Sequence, residues 1–473
     1  MEIKADVCII GSGAGGATVA AELALAGLKV VVLEKGGKAP RPPIGESPYQ
    51  STAKAFEGKA YYGAVAAGSP PQMFLQGSCE GGSTAINNGN TFDLPRHIMD
   101  EWHEHGVENL SSYFERVDTF LRPAPLHDEL ISLPGRKMLA GLSALGWRGA
   151  PMMRNAAGCS GRNTCNVGCP EDAKRSANIA YLPEARKAGA TVLLDTEVIR
   201  IMTLNKRATG VLARNRDGEV IIHSDRVILS AGSLNNPQIL AKSGIDNPGI
   251  KASLFVHPAV AVLAEFEDNL QTKSPHVDEC VYSDQFLESD NFMMMEMGLT
   301  GKPAALASLL SPSLAGLSGG NNTAVWASLI HDSQAPGELN SSIKRANGFR
   351  YDITHSTLQS QRTAVDRMAQ AAFAAGARSV TPLYLGAPTL RSEADIARLP
   401  AELPRWRQVG VSLHPMGSCS IGRACSSTGQ LHGYENLFVA DASLFPASSG
   451  VTPQKATMAL ATMVASNIIM SEG

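Results

Sequence analysis

The chain has 473 residues, 44% of them hydrophobic and 18% charged, with a formal net charge of -3. Single cores usually stop growing near about 250–300 residues, so two packed domains are expected. Both charge signs are scattered and no basic block occurs, which excludes nucleic acid as a partner.

Residues 1–4 run straight into an apolar segment, without the basic region, apolar stretch and cleavage site of an export signal. A cytoplasmic location is expected, and a periplasmic one only by export together with a partner subunit. The apolar stretches at 1–40 and 458–470 are broken by glycines or too short for the roughly 20 residues that a bilayer needs, so no membrane span is predicted.

In chain order, a β-branched strand at 5–10 ends in Gly11-Ser12-Gly13-Ala14-Gly15-Gly16. A helix at 17–26 and a second strand at 30–33 follow, closed by Glu34. Gly11, Gly13 and Gly16 fit G-x-G-x-x-G: a tight turn, room for backbone beside a pyrophosphate, and close helix-on-strand packing. The helix N-terminus offers free N–H groups and partial positive charge to phosphates, Ala14 in the turn is a further candidate to bind the cofactor, and Glu34 can accept hydrogen bonds from ribose hydroxyls. This fingerprint fits NAD or FAD alike.

Residues 77–89 read as an ordered glycine-rich loop, and strands at 191–194, 197–201, 210–213 and 226–229 as a small meander. From 255 the character changes, with antiparallel strands at 255–266 and 292–297 and a helix at 360–375. A strand at 436–440 and an apolar helix from Lys455 close the chain. The expected fold is therefore α/β: a Rossmann-like nucleotide domain from 1–254 and 406–473, with an antiparallel α+β substrate domain, 255–405, inserted. No repeat or flexible linker separates them.

Three segments carry a family resemblance. Gly81-Gly82-Ser83-Thr84-Ala85-Ile86-Asn87 is similar to the glycine-serine loop of the glucose-methanol-choline oxidoreductases. Residues 227–244, including Ala231 and Gly232, resemble that family's second signature, with Asn236 where Ser or Thr is usual. His414-Pro415-Met416-Gly417, residues 436–443 and Gly450-Val451-Thr452-Pro453 resemble its catalytic C-terminus. The resemblance implies FAD as cofactor. It also implies that Glu34 holds the adenosine ribose and that Val198 lies near the adenine. Gly81, Gly82, Ser83 and Asn87 would wrap the pyrophosphate and ring, Asp441 and Ala442 lie by the phosphates, and Pro453 lies at the cofactor.

Alcohol oxidation removes an O–H proton and a C–H hydride, and the flavin accepts only the hydride. His414 suits the base, since imidazole titrates near about 6.5. The family's second catalytic residue, His or Asn, falls at Thr452, whose hydroxyl reaches less far than an amide; Gln454 is the substitute with longer reach. Cys159, Cys165 and Cys169, in an insert at about 157–176, resemble the cysteine-bearing insert of bacterial FAD-dependent sugar dehydrogenases. In some of these, three thiolates hold a [3Fe-4S] cluster. Arg162 stands where a fourth Cys is frequent. Spacing alone equally allows a disulfide or packed thiols. A cluster would imply a dehydrogenase passing electrons to a small subunit or cytochrome. The competing readings are an oxidase using O2, a lyase cleaving cyanohydrins on the same fold, an electron-transfer subunit and, least favoured, a nicotinamide dehydrogenase. The substrate is expected to be a small alcohol, whether sugar, polyol, sterol or another; fold analogy does not choose among them.

Overall fold

The computed structural model describes residues 1–42, 55–60, 64–66, 68, 70, 72–250, 253–273, 275–298, 321–332, 334, 337–339, 348–408 and 410–471. β1 (Glu2–Ile10) leads through Gly11 into α1 (Ala14–Leu25) and then β2 (Val30–Leu33), all four residues of which are buried. Continuous apolar runs such as Val-Val-Val-Leu are what a parallel sheet covered on both faces demands.

After α2 (Leu133–Ala144), β3 (Thr191–Leu193) joins the far side of β2, and β4 (Glu197–Leu204), β5 (Arg207–Asn215) and β6 (Gly218–Leu229) form the meander. The sheet order is β3-β2-β1-β6-β5-β4. β6 spans 12 residues and changes partner along its length. Its first half pairs antiparallel with β5, while Val227, Ile228 and Leu229 pair parallel with a strand from the chain's end. The meander thus extends a parallel nucleotide-binding core.

The expected strand at 255–266 is two strands. β7 (Leu254–Phe255) pairs with a short strand at Met416–Gly417, and β8 (Val260–Glu265) belongs to a second sheet. The break falls at His257-Pro258, where proline has no N–H for a ladder. β9 (Val281–Ser283), β10 (Phe292–Glu296), β11 (Thr323–Ile330), α3 (His355–Ala374) and β12 (Ser379–Pro382) follow. The second sheet is antiparallel, in the order β12-β8-β11-β10-β9, with Ala150–Pro151 on its edge. α3 begins before the expected residue 360 because Thr354 caps it, its hydroxyl accepting from the Thr357 N–H at 3.2 Å.

Two cores result. The second gathers Phe292, Trp326 and Met368 with Leu126, Met138 and Leu142, so residues before 255 also build it. β13 (Leu437–Val439) returns to the first sheet, and α4 (Gln454–Met470) packs against α1. α4 is buried almost all round, which is why it reads as an unbroken apolar run. Among the described residues no helix is long and apolar enough to cross a membrane.

Candidate active site

The carboxyl ends of β1, β2 and β6 converge on a backbone cradle, where open α/β sheets bind ligands. Gly11 has φ +99°, and a Cβ there would lie 2.4 Å from the Ser230 carbonyl oxygen. A Cβ on Gly16 would lie 2.0 Å from the Gly11 oxygen, whereas one on Gly13 would meet only the Gly82 Cα, at 4.0 Å. The three glycines therefore serve turn, packing and open approach respectively. Gly15, outside the motif, is equally constrained: its Cβ would sit 1.7 Å from the Ala440 oxygen. Only structure shows this, because Ala440 arrives from the other end of the chain.

α1 starts at Gly13 with no side-chain cap and no acid in its first turn. Its free N–H groups and positive end suit an anion. Glu34 is buried and accepts from the Ser12 N–H (3.1 Å), the Ser12 hydroxyl (2.7 Å) and the Gly36 N–H (2.9 Å). Burial pushes its pKa up against those hydrogen bonds. A carboxylate has about four acceptor sites, so room remains for a ribose hydroxyl. Val198 is buried in β4, two residues after Thr196, whose N–H donates to the Glu34 carbonyl at 2.8 Å. These features fit a dinucleotide such as FAD.

Across the cradle, Asp441 accepts from the Gly232 N–H at 2.7 Å and the Ser443 N–H at 2.8 Å. Asn236 donates to the same carboxylate at 2.9 Å while its oxygen accepts from the Ala231 N–H at 3.0 Å. The departure from Ser or Thr at 236 thus has a structural use: one amide fixes both the turn and the acid. Burial raises the Asp441 pKa. Ala442 opens the 3-10 turn Ala442–Leu444 directly after it.

The loop beside Gly13 is held from several sides. Gly81 and Gly82 take left-handed conformations, and the exposed Ser83 turns its hydroxyl to the Gly77 N–H (3.0 Å). Lys174, fully buried, donates to the carbonyls of Ala85 (3.0 Å), Asn87 (2.6 Å) and Cys165 (2.7 Å). Arg154 donates to the Asn88 carbonyl and to the Cys165 sulfur, the latter at 3.2 Å. Asn87 donates to Gln454, and Asn90 to Glu279. Thr452 is buried and its hydroxyl donates to the Asn90 carbonyl at 3.4 Å. Its proton is therefore directed at the loop. Gln454, 7% exposed beside the cap residue Pro453, keeps an amide nitrogen without a partner among the described residues.

His414 is half-buried, and its Nδ1 lies 3.0 Å from Nδ1 of His257, the rings crossing at 85°. The pairing of β7 with Met416–Gly417 brings the two residues together. The Pro415 carbonyl accepts from Ser233 at 3.0 Å, tying His414 to the turn after β6. Burial takes the His414 pKa down to about 4, and burial plus His414 takes His257 well below its ordinary value. The pair is neutral near pH 7. Sequence reasoning missed His257, yet a signal existed: Val256-His257-Pro258 and Leu413-His414-Pro415 share the same apolar-His-Pro form.

The cysteines do not bear out the [3Fe-4S] expectation. Cys159, Cys165 and Cys169 are free and half-buried, and no three metal-ligating side chains gather around one centre among the described residues. Each is occupied separately. Cys159 accepts from the Gly161 N–H at 3.5 Å, Cys165 faces Arg154, and Cys169 lines a small cavity with Lys174 and Ala85. Arg162 pairs with Glu171 at 2.8 Å. The insert is organised around the buried cations Arg154 and Lys174.

Family models for GMC oxidoreductases match residues 8–259 and 338–461. The chain is 33% identical to an uncharacterized GMC-type oxidoreductase of Mycobacterium tuberculosis, over 98% of this chain and 76% of that one. It is 26% identical to long-chain-alcohol oxidase FAO4B of Arabidopsis thaliana, over 99% and 68%. Pyridoxine 4-oxidase from Mesorbium loti has the same fold, with a TM-score of 0.73 at 18% identity over 98% of each chain. Both matched segments carry a member of the histidine pair, and the chain belongs to the GMC oxidoreductases, FAD-dependent oxidoreductases of the alcohol-oxidising type.

Proposed function

We propose that the enzyme oxidises the CH–OH group of a small-molecule alcohol, with His414 as base, and hands the electrons to an acceptor outside the chain. FAD, when bound, supplies the hydride acceptor. Gly11, Gly13, Ala14, Gly16, Glu34 and Val198 would hold its adenine half. Gly81, Gly82, Ser83, Asn87, Ala231, Gly232, Asp441, Ala442 and Pro453 would hold the rest.

The observation that carries this reading is the His257–His414 contact through Nδ1. Two neutral imidazoles at 3.0 Å must be one donor and one acceptor. With His414 donating, its Nε2 holds a lone pair, and no other ring contact occupies that nitrogen among the described residues. His257 then fixes the tautomer and stabilises the imidazolium that forms when His414 takes the hydroxyl proton. Gln454, with its unpartnered amide, is better suited than Thr452 to donate toward the substrate oxygen.

Anaerobic mixing of the yellow holoenzyme with a panel of alcohols tests this by bleaching of the flavin band. No bleaching by any alcohol, together with cleavage of a cyanohydrin, would overturn it in favour of a lyase. The long-chain-alcohol oxidases among the relatives favour O2 as acceptor. Reoxidation of the bleached enzyme by air, compared with a one-electron dye, distinguishes oxidase from dehydrogenase.

A further inference from the structure

The proton that His414 takes must leave, and burial makes this histidine a poor place to keep a positive charge. Behind His414 lies a run of polar groups that begins with His257. His257 is 1% exposed, and its Nε2 has no partner among the described residues. A buried ring nitrogen without a partner costs free energy, so its retention calls for a use.

His331 is the next group. It directly follows β11, and the antiparallel register that pairs Val260 of β8 with Ser328 of β11 runs on toward position 257 opposite position 331. Gly450 packs beside it: a Cβ there would lie 3.5 Å from the His331 Cβ, an ordinary contact. His331 Nε2 lies 3.0 Å from a carboxylate oxygen of Glu101, whose side chain is 29% exposed. The sequence of groups therefore runs from the site to solvent. Around His331 stand His97, and around His97 stand Glu101, Asp100 and Glu288.

We infer that His257, His331 and Glu101 form the path by which the substrate's proton leaves the site, a water bridging His257 Nε2 to His331. The inference rests on His414 as base. The alcohol O–H proton goes to His414 Nε2, and the Nδ1 proton of His414 passes to His257 Nδ1. The Nε2 proton of His257 passes through the water to His331, whose Nε2 proton passes to Glu101 and solvent. The C–H hydride leaves separately, to FAD, so charge and atoms balance. Run inward during reoxidation, the same chain restores the first tautomers. His257, His331 and Glu101 are here positioning and relay residues, with no contact to substrate.

The test uses the holoenzyme under anaerobic conditions in weak buffer, following flavin bleaching and a pH-indicator dye together after mixing with a bleaching alcohol. In the parent enzyme the proton appears with bleaching. In Glu101→Gln, bleaching stays within about twofold while the proton lags by about tenfold, and added imidazole removes the lag. Asp100→Asn, an exposed neighbouring carboxylate, behaves as the parent. Proton release in step with bleaching in Glu101→Gln overturns the path. Independently of any alcohol, 15N spectra of the histidine rings should show the signals of both His331 and His257 moved by Glu101→Gln. An unmoved His257 signal also overturns it. If no alcohol bleaches the flavin, the functional reading fails while the ring spectra still decide whether the chain is connected.

Discussion

Two polar clusters, one around Lys174 at the glycine-rich loop and one at the His257–His414 pair, differ in one respect that separates scaffold from chemistry. Lys174 sends its three N–H donors to three carbonyls, so it is saturated and can only hold. The histidine pair shares one contact and leaves the buried Nε2 of His257 without a partner among the described residues. A satisfied cluster fixes a shape; an unsatisfied one retains capacity to bind or move a proton. Lys174 carries the first kind into the cysteine insert, through the Cys165 carbonyl.

Breaking the open cluster should have the largest effect. His414→Asn is expected to lower the rate of anaerobic flavin bleaching by about 10²–10⁴-fold, the usual range for a lost general base. The flavin absorbance spectrum and melting temperature should stay near those of the parent. A variant that bleaches at the parent rate would place the base elsewhere.

Breaking the closed cluster should reverse the pattern. Lys174→Met leaves two loop carbonyls and that of Cys165 without their donor, at about 1–3 kcal/mol each where they stay buried. A loss of at least about 2 kcal/mol is expected from urea unfolding, with easier release of FAD. The fraction that keeps FAD should still bleach within severalfold of the parent, as a group that only holds would require. Loss of bleaching without loss of stability would move Lys174 into the chemistry.

The same contrast explains what was legible in the sequence. The strands and α1 are local, and the glycines of the first turn are readable as a spacing, although Gly11 answers to Ser230 and Gly15 to Ala440, both far along the chain. His414 was legible because its neighbours in the chain resemble a family motif. His257 was not, because it meets His414 only through the β7 pairing with Met416–Gly417 across 157 positions. The single strand expected at 255–266 hid it further, by making a chain crossing look like the interior of a sheet. The cysteines misled for the opposite reason. Their spacing is a local signal, while the buried Arg154 and Lys174 that organise the insert act through folding alone.

pH should separate the clusters more gently. Burial lowers the His414 pKa from 6.5 to about 4, so the unfolded chain binds the proton more readily in that window. Stability should therefore fall as pH drops from about 6.5 to about 4 and level off below. Lys174 is lowered from 10.5 to about 8, which makes stability rise as pH climbs through that interval. Unfolding midpoints across both windows check this: His414→Asn should flatten the acid limb in part, His257 supplying the rest, and Lys174→Met the alkaline limb.

The smallest effect is expected at Thr452, which contacts Asn90 just after the glycine-rich loop. Its hydroxyl lies 3.4 Å from the Asn90 carbonyl, at the long end for such a contact, so the bond contributes little. Thr452→Ala should cost less than about 1 kcal/mol and change the bleaching rate by less than about threefold, because no substrate donor is removed. Thr452→Asn is the sharper variant. It restores a residue the family uses at this position, and an amide can serve Asn90 and still offer a second N–H. Faster bleaching in Thr452→Asn would show that the parent site runs without a donor there, whereas a tenfold loss in Thr452→Ala would return the hydroxyl to the chemistry.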